Sequence, residues 1–473
     1  MKFNIKDYYL IKSDEVNSSI AFHIPTNTIF QLTDNLFKVF QNSISDKPIA
    51  DISAEMKLTT EEILSFFNSI NGVVAKKAMI HTRDKANILD RVTLHIANDC
   101  NLNCSYCYAN GGNYNEPKKL MNENKAVEII DFLISKFSYI NGLVFFGGEP
   151  LLNVKVIERV CGYLSDLYNK GRIRYLPGFG IITNGTIIND KIVKLINDYE
   201  IAITVSIDGP KEINDLHRVF RNHRGTYTRI HNFIDIIQKN TNANIQFEST
   251  FTADHLKMGY SEDDIHFFMR KEFGIRGMVV PVQNHTVNDD LPTELNKNTS
   301  FRRRIFRIFN EPDNTEIVLD DNVLNSLSSL VTCVPRGLCP IGTKMIAISV
   351  DGKIYPCHII VGNEHLCIGD TNGENIFTNP DKYYMVNPYL NLVNQAIAPC
   401  KNCWARNLCS GCSLKGLFDN NTCMFLPHPK SDFCKLQEGF ISELILNVAK
   451  IKCNPENWEK FIARLNSTEN KYV

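Results

Sequence analysis

The segment RVTLHIANDCNLNCSYCY occupies residues 91–108 and joins an apolar strand pattern, Val92–Ala97, to a loop rich in cysteine. Three cysteines lie within eight residues of this loop: Cys100, Cys104 and Cys107. Thiols this close on a loop that leaves a strand can bind three irons of a 4Fe–4S cluster, and the fourth iron then has no protein ligand. A zinc ion completed by His95 or Asp99 is the alternative, although structural zinc usually takes four protein ligands in two close pairs. The segment therefore predicts a strand that leads into a metal-binding loop.

The strand before this loop is the first of six predicted β/α repeats. Apolar runs typical of strands lie at Val92–Ala97, Leu143–Phe146, Phe179–Thr183, Ala202–Ile207, Ile245–Phe251 and Met278–Val282. Helical patterns alternate with them at Asn124–Phe137, Val154–Asn169, Asp190–Asp198, Tyr227–Lys239 and Glu262–Phe273. Strands that alternate with helices form parallel sheets. We therefore expect an α/β fold whose central part, residues 88–300, is a partial (β/α)6 barrel of the TIM type.

Distinctive segments follow the predicted strands at the same end of the barrel. The cysteine loop follows the first strand, and Gly147-Gly148-Glu149-Pro150 follows the second. Asn184 comes after the third strand, and Ser206 lies at the end of the fourth. Barrels of this type carry their chemistry on the loops after the carboxyl ends of the strands. These residues are therefore expected to surround one site.

The whole chain has 473 residues, a length that suggests about three domains. Lys and Arg total 51 against 52 Asp and Glu, so the formal charge of −1 gives no reason to expect nucleic acid or an anionic membrane as partner. The first residues lack the apolar core of a signal peptide, and no run of 18 apolar residues occurs. We therefore expect a cytoplasmic protein.

Cysteine is the unusual component, with 15 residues, ten of them between positions 333 and 434. A cytoplasmic chain keeps its thiols reduced, and an odd count leaves one thiol unpaired, so metal binding is favoured over disulfides. The C-x2-C pairs suit zinc ribbons as well as iron–sulfur clusters. Residues 333–436 contain many turn residues and little apolar periodicity, and we expect their fold to depend on bound metal.

The C-x3-C-x2-C loop with Tyr106 before its last cysteine, together with Gly147-Gly148-Glu149-Pro150, resembles the radical S-adenosylmethionine (radical SAM) superfamily. The resemblance implies that the open iron of the cluster binds SAM, and that the reduced cluster cleaves SAM to methionine and a 5′-deoxyadenosyl radical. Glu149 and the glycine carbonyls are then expected to accept hydrogen bonds from the methionyl ammonium. The other implied cofactor contacts are Tyr106 at the adenine, Asn184 at the ribose, Ser206 at the ribose or carboxylate, and Arg218 at the carboxylate.

The carboxy-terminal cysteines resemble the seven-cysteine SPASM domain of peptide- and sulfatase-maturing enzymes. The pattern is Cys339-x12-Gly352-x4-Cys357, then Cys400-x2-Cys403-x5-Cys409-x2-Cys412, then Cys434, where the family usually has three residues before the fourth cysteine of the central group. The resemblance implies two auxiliary 4Fe–4S clusters, and therefore three clusters in all. The first would be bound by Cys333, Cys339, Cys357 and Cys412, and the second by Cys400, Cys403, Cys409 and Cys434. Without Cys333 the first auxiliary cluster would keep an open iron.

Residues 1–77 form a separate predicted unit of the winged-helix-like α+β type. Strand patterns at Tyr8–Lys12, Ser19–His23 and Thr28–Gln31 precede helical patterns at Thr33–Phe40, Ile49–Met56 and Thr60–Ile70. This order resembles the PqqD-like element that recognises peptides in maturases of ribosomally made peptides. The resemblance implies that a leader peptide adds a strand to the open sheet edge near Thr28–Gln31.

His358 is the candidate catalytic residue, since it follows Cys357 where anaerobic sulfatase maturases have an aspartate that acts as base. The difference favours maturases that form thioethers, in which a substrate cysteine sulfur attacks a carbon that has lost a hydrogen atom. A carbon–carbon crosslink and formylglycine formation are the alternatives. The expected partners are a precursor peptide and an electron donor such as flavodoxin or ferredoxin.

The remaining segments have simpler interpretations. Residues 301–332 are expected to be a linker with a bridging helix at Phe301–Phe309, whose arginines form a solvated face. Residues 437–473 are expected to hold a helix at Gln437–Lys450 and a frayed tail. Four cysteines have no predicted ligand role: Cys161, Cys367, Cys423 and Cys453.

Overall fold

The computed structural model describes residues 4–13, 18–78, 88–275, 277–282, 321–332, 339, 341–342, 344–379, 382, 400, 402–409, 418–419, 424–425 and 431–469. The predicted helix Phe301–Phe309 and the cysteines Cys333, Cys412 and Cys423 lie outside these residues. The described elements form an amino-terminal sheet with helices, a large central sheet flanked by helices, and a carboxy-terminal pair of long helices.

The amino-terminal sheet is antiparallel, in the order β1-β2-β3. Its strands are β1 (Tyr8–Ser13), β2 (Ser18–His23) and β3 (Thr28–Leu32). The helices that follow are α1 (Asp34–Ile44), α2 (Ile49–Met56) and α3 (Thr60–Ala78). Tyr8 and Ala21 on one face of the sheet pack with Phe40, Ile52 and Ile63 of the helices. The predicted order of three strands and three helices is confirmed.

Capping residues fix where two of these helices begin. Thr33 precedes α1, and its hydroxyl accepts a hydrogen bond from the Leu36 N–H at 3.4 Å. Before α3, the Thr59 hydroxyl accepts from the Glu62 N–H at 3.1 Å, and the Glu62 carboxylate accepts from the Thr59 N–H at 2.7 Å. This reciprocal capping box satisfies backbone donors that a helix start otherwise leaves unpaired.

The central sheet is open and has eight strands in the order β11-β10-β4-β5-β6-β7-β8-β9. Six parallel strands form its main part: β4 (Ile88–Ala97), β5 (Tyr139–Gly147), β6 (Gly178–Thr183), β7 (Ala202–Ser206), β8 (Ile245–Phe251) and β9 (Gly277–Pro281). The helices of this part are α4 (Glu123–Lys136), α5 (Val154–Asn169), α6 (Asp190–Asp198), α7 (Lys211–His217), α8 (Tyr227–Asn240), α9 (Ala253–Lys257) and α10 (Glu262–Phe273). The predicted α/β fold with a partial barrel is confirmed, and the short helices α7 and α9 are additions to it.

Side chains alternate along the parallel strands. In the second half of β4, alternate residues are fully buried in the core under the helices: Val92, Leu94 and Ile96. The intervening residues, Arg91, Thr93 and His95, lie on the opposite face, inside the curve of the sheet. Each large apolar side chain buried under the helices contributes roughly 1.5–3 kcal/mol to folding. The core therefore lies between sheet and helices, and the inner face is left for a site.

The strands β10 (Met345–Ile348) and β11 (Ile354–Tyr355) come from the cysteine-rich region and extend the central sheet. β10 runs parallel to β4, and β11 returns antiparallel to β10. Ile346 and Ile348 are 2% and 0% exposed and belong to the same core as the barrel strands. This contribution could not be predicted from the sequence, because a strand of four residues is too short to show a period.

The carboxy-terminal elements are α11 (Asp321–Thr332), β12 (Phe418–Asp419), β13 (Met424–Phe425), α12 (Ser431–Lys452) and α13 (Pro455–Glu469). The predicted frayed tail is wrong, because residues 455–469 are helical. The Asn454 side chain accepts hydrogen bonds from the Glu456 and Asn457 N–H groups at 3.0 and 3.2 Å, and Phe461 is 6% exposed in the core against α12. Among the described helices, none is both long and apolar enough to cross a membrane.

The amino-terminal sheet is held between its own helices and α12. Ile20 and Phe22 face α12 and share a core with Leu444. The Gln31 Nε2 atom donates to the Ala449 carbonyl of α12 at 2.9 Å. Both faces of the sheet are therefore covered.

Candidate active site

A cavity of about 920 Å³ lies inside the curve of the central sheet. The three thiols of the cysteine loop line it at the carboxyl ends of the strands: Cys100, Cys104 and Cys107. Gly142 and Ala202 line it toward the amino ends of the strands. Cys339 and His358 border it from the cysteine-rich region. Predicted sulfur ligands from two distant parts of the sequence thus meet at one cavity.

Hydrogen bonds and burial set the chemistry of the cysteine loop. The Cys107 N–H donates to the Cys104 carbonyl at 3.2 Å, and the Cys100 sulfur accepts from the Leu102 N–H at 3.4 Å. Burial raises the pKa of Cys100 to about 12 and that of Cys104 to about 11. A thiolate at either position therefore needs a cationic partner, which iron supplies.

The position of these three thiols at one end of the cavity suits a 4Fe–4S cluster. In the described ranges, no group of three or more His, Cys, Asp or Glu side chains converges on a single-ion site. The ligands of a cubane cluster bind separate irons and do not need to converge on one point. Three partly buried thiols at the edge of a cavity thus fit a 4Fe–4S cluster that has one iron without a protein ligand.

The Gly147–Gly148 turn lies so close to the cysteine loop that only glycine fits. The Gly148 N–H donates to the Ala97 carbonyl at 2.8 Å, and the Glu149 N–H donates to the Asp99 carbonyl at 2.9 Å. Gly147 has a φ of +131°, and a Cβ there would collide with the Ala97 carbonyl. A Cβ on Gly148 would collide with the Asp99 carbonyl. The turn therefore fixes the end of β5 against the end of β4, and both glycines line the cavity.

Glu149 is fully buried and accepts hydrogen bonds from the protein itself. Its carboxylate accepts from the Leu151 N–H at 3.0 Å, the Thr183 hydroxyl at 2.7 Å and the Asn184 N–H at 2.7 Å. Burial raises the pKa of Glu149, and these hydrogen bonds oppose that shift. The side chain thus joins the end of β5 to the end of β6. The predicted contact of Glu149 with the SAM ammonium remains a prediction.

Tyr106, Asp208 and Arg218 form a buried polar triad beside the cavity. The Tyr106 hydroxyl donates to Asp208 at 2.5 Å, and Arg218 Nη1 donates to the Tyr106 oxygen at 2.9 Å. Arg218 Nη1 also lies 3.9 Å from the Asp208 carboxylate. Arg218 lines the cavity, and its Nε has no hydrogen-bond partner among the described residues. The guanidinium is held in place and keeps a donor for an anion such as a carboxylate.

Asn184, Ser206 and Pro150 take different positions around the cavity. Asn184 Nδ2 donates to Asn101 Oδ1 at 2.9 Å and to the Cys100 sulfur at 3.6 Å, so its amide supports the cysteine loop. Ser206 is the last residue of β7 and lines the cavity, as Asn184 does. Pro150 is buried behind the glycine turn. The predicted ribose contacts of Asn184 and Ser206 remain predictions.

His217 positions the cysteine loop, a role that the sequence analysis missed. Its Nδ1 lies 2.7 Å from the hydroxyl of Ser105 in that loop. Its Nε2 lies 3.1 Å from the Thr252 hydroxyl and 3.4 Å from the Asp254 carboxylate. The ring thus connects the loop after β4 with the start of α9. The sequence feature that could have indicated this role is the position of His217 directly before Arg218, at the end of α7.

Cys357 and His358 lie together where the cysteine-rich region meets the cavity. The Cys357 sulfur is 3.7 Å from His358 Nδ1, and the His358 ring meets Phe146 edge to face at a centroid distance of 5.1 Å. Burial lowers the pKa of His358 to about 3, so the imidazole is neutral at pH 7. The other described cysteine predicted for this cluster, Cys339, also lines the cavity. The remaining two predicted ligands lie outside the described residues.

The cysteines predicted for the second auxiliary cluster are partly buried: Cys400, Cys403, Cys409 and Cys434. Burial raises the pKa of Cys400 to about 11, and nearby Cys403 and Cys434 add to the shift, so these three thiols are close neighbours. Trp404, next to Cys403, stacks on Tyr9 of β1 at a centroid distance of 4.1 Å. This group of thiols therefore lies against the amino-terminal sheet.

Two charged residues inside the cavity were also missed: Arg91 on β4 and Glu248 on β8. Strands of a parallel sheet that is buried on both faces normally read as continuous apolar runs. On β8, however, Gln246, Glu248 and Thr250 alternate with buried residues. Such alternation indicates a strand with one face on a polar cavity, and it is the signal that identifies these residues.

Residues 94–252 match the family model of the Radical SAM superfamily. This range includes the cysteine loop, the glycine turn and the Tyr106–Asp208–Arg218 triad.

Named relatives cover larger parts of the chain. An uncharacterized protein of Methanocaldococcus jannaschii, MJ0907, is 34% identical over 190 residues, which are 40% of this chain and 61% of that protein. The radical SAM cyclopropyl synthase TigE of Paramaledivibacter caminithermalis is 24% identical over 339 residues, which are 66% of either chain. A cysteine-type anaerobic sulfatase-maturating enzyme of Clostridium novyi is 26% identical over 336 residues, 67% of this chain and 85% of that enzyme. The chain thus spans just under two thirds of the first two relatives.

Solved structures of native anSMEcpe with bound AdoMet, without and with the Cp18Cys peptide, share the fold. Their TM-scores are 0.59 and 0.58, at 18% and 17% identity, and each comparison covers 80% of this chain and 99% of the other.

Proposed function

We propose, on the premise that this chain is a radical SAM enzyme, that it cleaves S-adenosylmethionine reductively and installs a crosslink in a ribosomally synthesised precursor peptide. One observation carries the proposal. The cysteine loop borders the central cavity at one end, and Cys339 with His358 border it from the cysteine-rich region. A peptide residue in this cavity would lie between the place where the radical is generated and the thiols of an electron-accepting cluster. The solved structure that holds both AdoMet and a peptide supports a peptide substrate.

The residues around the cysteine loop fit SAM bound to a 4Fe–4S cluster. When bound, this pair supplies a 5′-deoxyadenosyl radical, which abstracts a hydrogen atom from the substrate. The chain would hold the iron through Cys100, Cys104 and Cys107. The backbone of Gly147-Gly148-Glu149-Pro150 would face the ammonium and Arg218 the carboxylate. Tyr106, Asn184 and Ser206 would border the adenosyl group.

We assign the other predicted ligands to two auxiliary clusters. Cys333, Cys339, Cys357 and Cys412 would bind the first, and Cys400, Cys403, Cys409 and Cys434 the second. Four thiolates on each cluster leave no open iron, so both would serve electron transfer only. A flavodoxin or ferredoxin in the cytoplasm would supply the reducing electron.

The crosslink that we propose first is a thioether. One carbon of the peptide loses a hydrogen atom, a substrate cysteine loses its thiol proton, and the sulfur bonds to that carbon. The surplus electron passes to an auxiliary cluster, so the peptide loses two hydrogens in total. A carbon–carbon crosslink uses the same apparatus, and the likeness to a cyclopropyl synthase favours it equally.

Formylglycine formation is the remaining candidate, because a cysteine-type sulfatase-maturating enzyme is among the relatives. That activity would need a base beside Cys357. At this position the chain has His358 in place of the aspartate expected in that class of enzyme, and the change of residue disfavours this candidate.

We propose the edge of β3 as the docking site for the leader peptide. In the described part of the chain, β3 pairs with β2 alone. Because both faces of the sheet are covered, main-chain groups on the edge are the part left for an extended peptide. On this proposal residues 1–77 dock the peptide, residues 88–300 carry the radical chemistry and residues 333–436 hold the auxiliary clusters.

Anaerobic reconstitution of the full chain tests the proposal. The assay combines the protein with SAM, dithionite and a short cysteine-containing peptide encoded beside the gene. We expect a brown protein with roughly 12 irons, formation of 5′-deoxyadenosine and a peptide two hydrogens lighter. Alkylation with iodoacetamide separates the products, because a thioether removes one reactive thiol and a carbon–carbon bond removes none. A colourless protein that contains zinc, or formylglycine in a sulfatase peptide as the sole product, would contradict it.

A further inference from the structure

We propose that Arg91 and Glu248 hold one amide group of the substrate in the cavity, with Arg91 donating to its carbonyl oxygen and Glu248 accepting from its N–H. The inference rests on the proposed function, because it names the part of the peptide that the cavity recognises.

Arg91 and Glu248 face each other without a direct contact. Both line the cavity, Arg91 from β4 and Glu248 from β8, and each lies within electrostatic reach of the other. Within the described residues, no ion pair or hydrogen bond joins them. The Arg91 Nε is buried and has no hydrogen-bond partner there. Burial raises the pKa of Glu248, and the charge of Arg91 opposes that shift. A buried donor without a partner is costly, so a ligand group that accepts from Arg91 and donates to Glu248 is favoured.

Small residues on the intervening strands leave room for such a group. Gly142 lies beside Arg91 in the sheet register, and Gly180 lies beside Ala202. A Cβ on Gly142 would have its nearest neighbour at 3.7 Å, and one on Gly180 at 3.5 Å, which are ordinary contact distances. The backbone therefore does not require glycine at either position. Glycine inside a strand weakens it and often marks the close approach of a ligand.

A main-chain amide matches the two walls of the cavity. In a trans peptide unit the C=O and N–H bonds point in opposite directions. One unit placed between β4 and β8 would present its acceptor to Arg91 and its donor to Glu248. A side-chain carboxamide carries both groups at one end and would have to turn toward one wall. We therefore assign the site to the peptide main chain, so that recognition does not depend on the side chain that is modified.

Equilibrium dialysis of small labelled probes tests this assignment on the anaerobically reconstituted full chain with SAM. The probes are 3-mercapto-N-methylpropanamide, a methylamide with a single secondary amide, the corresponding methyl ester, which has no N–H, and propionamide, which carries only a carboxamide. We expect the methylamide to bind about tenfold more tightly than the ester, as for a hydrogen bond to a charged group. Glu248→Gln and Arg91→Gln should each weaken its binding about tenfold. The exposed residues Glu158 and Arg229 provide matched controls, and Glu158→Gln and Arg229→Gln should leave binding unchanged.

A steric variant provides a second test of the site that does not depend on the folding of the charge variants. Gly180→Leu should block binding of the methylamide while the iron content stays at the parent value, because the leucine side chain would fill the space beside Ala202.

Undetectable binding of the methylamide to the parent protein, or equal binding in all variants, would overturn the proposal. Propionamide binding more tightly than the methylamide would overturn the main-chain assignment. Iron loss in Arg91→Gln with probe binding retained would show that Arg91 serves the neighbouring cysteines instead. Probe binding is measured without turnover. The binding result can therefore be interpreted even when no crosslinking reaction is observed.

Discussion

Single residues at the active site act mainly by holding other residues in place. Glu149 joins two strand ends, His217 supports Ser105, and the Asn184 amide donates to the Cys100 sulfur. Arg218 and Arg91 differ from these residues because the Nε atom of each is buried without a hydrogen-bond partner among the described residues, and both side chains line the cavity. The first three residues therefore support the site, whereas the two arginines are able to contact a ligand.

Glu149→Gln should destabilise the region between β5 and β6. The carboxylate accepts three hydrogen bonds in a fully buried position, and a glutamine amide would turn a donor toward one of those donors. The expected cost is about 1–3 kcal/mol, with loss of iron from the cluster on the cysteine loop. Thermal melting and iron analysis of the reconstituted protein measure both effects. Glu123→Gln, an exposed change in the first turn of α4, is the control, and equal losses in the two variants would contradict the assigned role.

At the scale of elements, β2 ends in a buried histidine that should make the following turn to β3 sensitive to acid. His23 is 3% exposed, and its Nδ1 lies 2.8 Å from the Thr26 hydroxyl. Burial lowers the pKa of His23 to about 4, whereas an unfolded chain has a value near 6.5. The neutral ring is therefore favoured in the fold. Its contribution to stability is complete above pH 6.5 and is lost as the pH falls from there toward 4.

Hydrogen exchange of residues 18–32 measures this effect. After correction for intrinsic rates, exchange should be faster at pH 5.5 than at pH 7.5, because protonation favours the open turn. His23→Gln should remove the dependence on pH, and His231→Gln, at a partly exposed site on α8, should retain it. A parent protein with equal corrected rates at both pH values would show that His23 is not the source.

Long elements with a clear period could be predicted from the sequence, and short ones could not. The observed bounds of α5, α6, α10 and β8 equal the predicted ones because these segments carry unbroken apolar patterns. The position of β10 beside β4 depends on a pairing between distant segments, which no local pattern reveals. In the active site, the cysteine loop and glycine turn could be found as motifs. The polar alternation of β8 could have indicated that Glu248 faces a cavity, but its position opposite Arg91 and the contact of His217 with Ser105 could not be predicted, since they depend on which strands and loops face each other.

The whole molecule depends on contacts between its two ends. The β2 residues Ile20 and Phe22 share a core with α12, Gln31 donates to the Ala449 carbonyl, and Tyr9 stacks on Trp404. The proposed peptide-docking unit is thus attached to the helix that carries Cys434.

Deletion of residues 1–77 should therefore do more than remove a docking edge. It would expose the apolar face of α12, including Phe440, Ile441 and Leu444, which are 7%, 0% and 0% exposed in the intact chain. We expect the truncated protein to melt at a lower temperature and to bind the dye ANS. Tyr9→Ala, which removes only the ring stacked on Trp404, is the milder comparison and should change Trp404 fluorescence with little ANS binding. A truncated chain that melts like the parent without binding ANS would contradict the coupling.

The pairing of β10 with β4 also has a consequence for biosynthesis. Met345 lies beside Arg91 in the sheet register although the two are about 250 residues apart in sequence. Pairing across such a separation is slow, because a long loop must close before the contact is gained. During translation the cysteine loop emerges early, while the neighbouring edge of β4 stays uncovered until β10 leaves the ribosome. An uncovered strand edge is a site of incorrect pairing and aggregation. We therefore expect the yield of folded protein in cells to depend on protection of the β4 edge during synthesis.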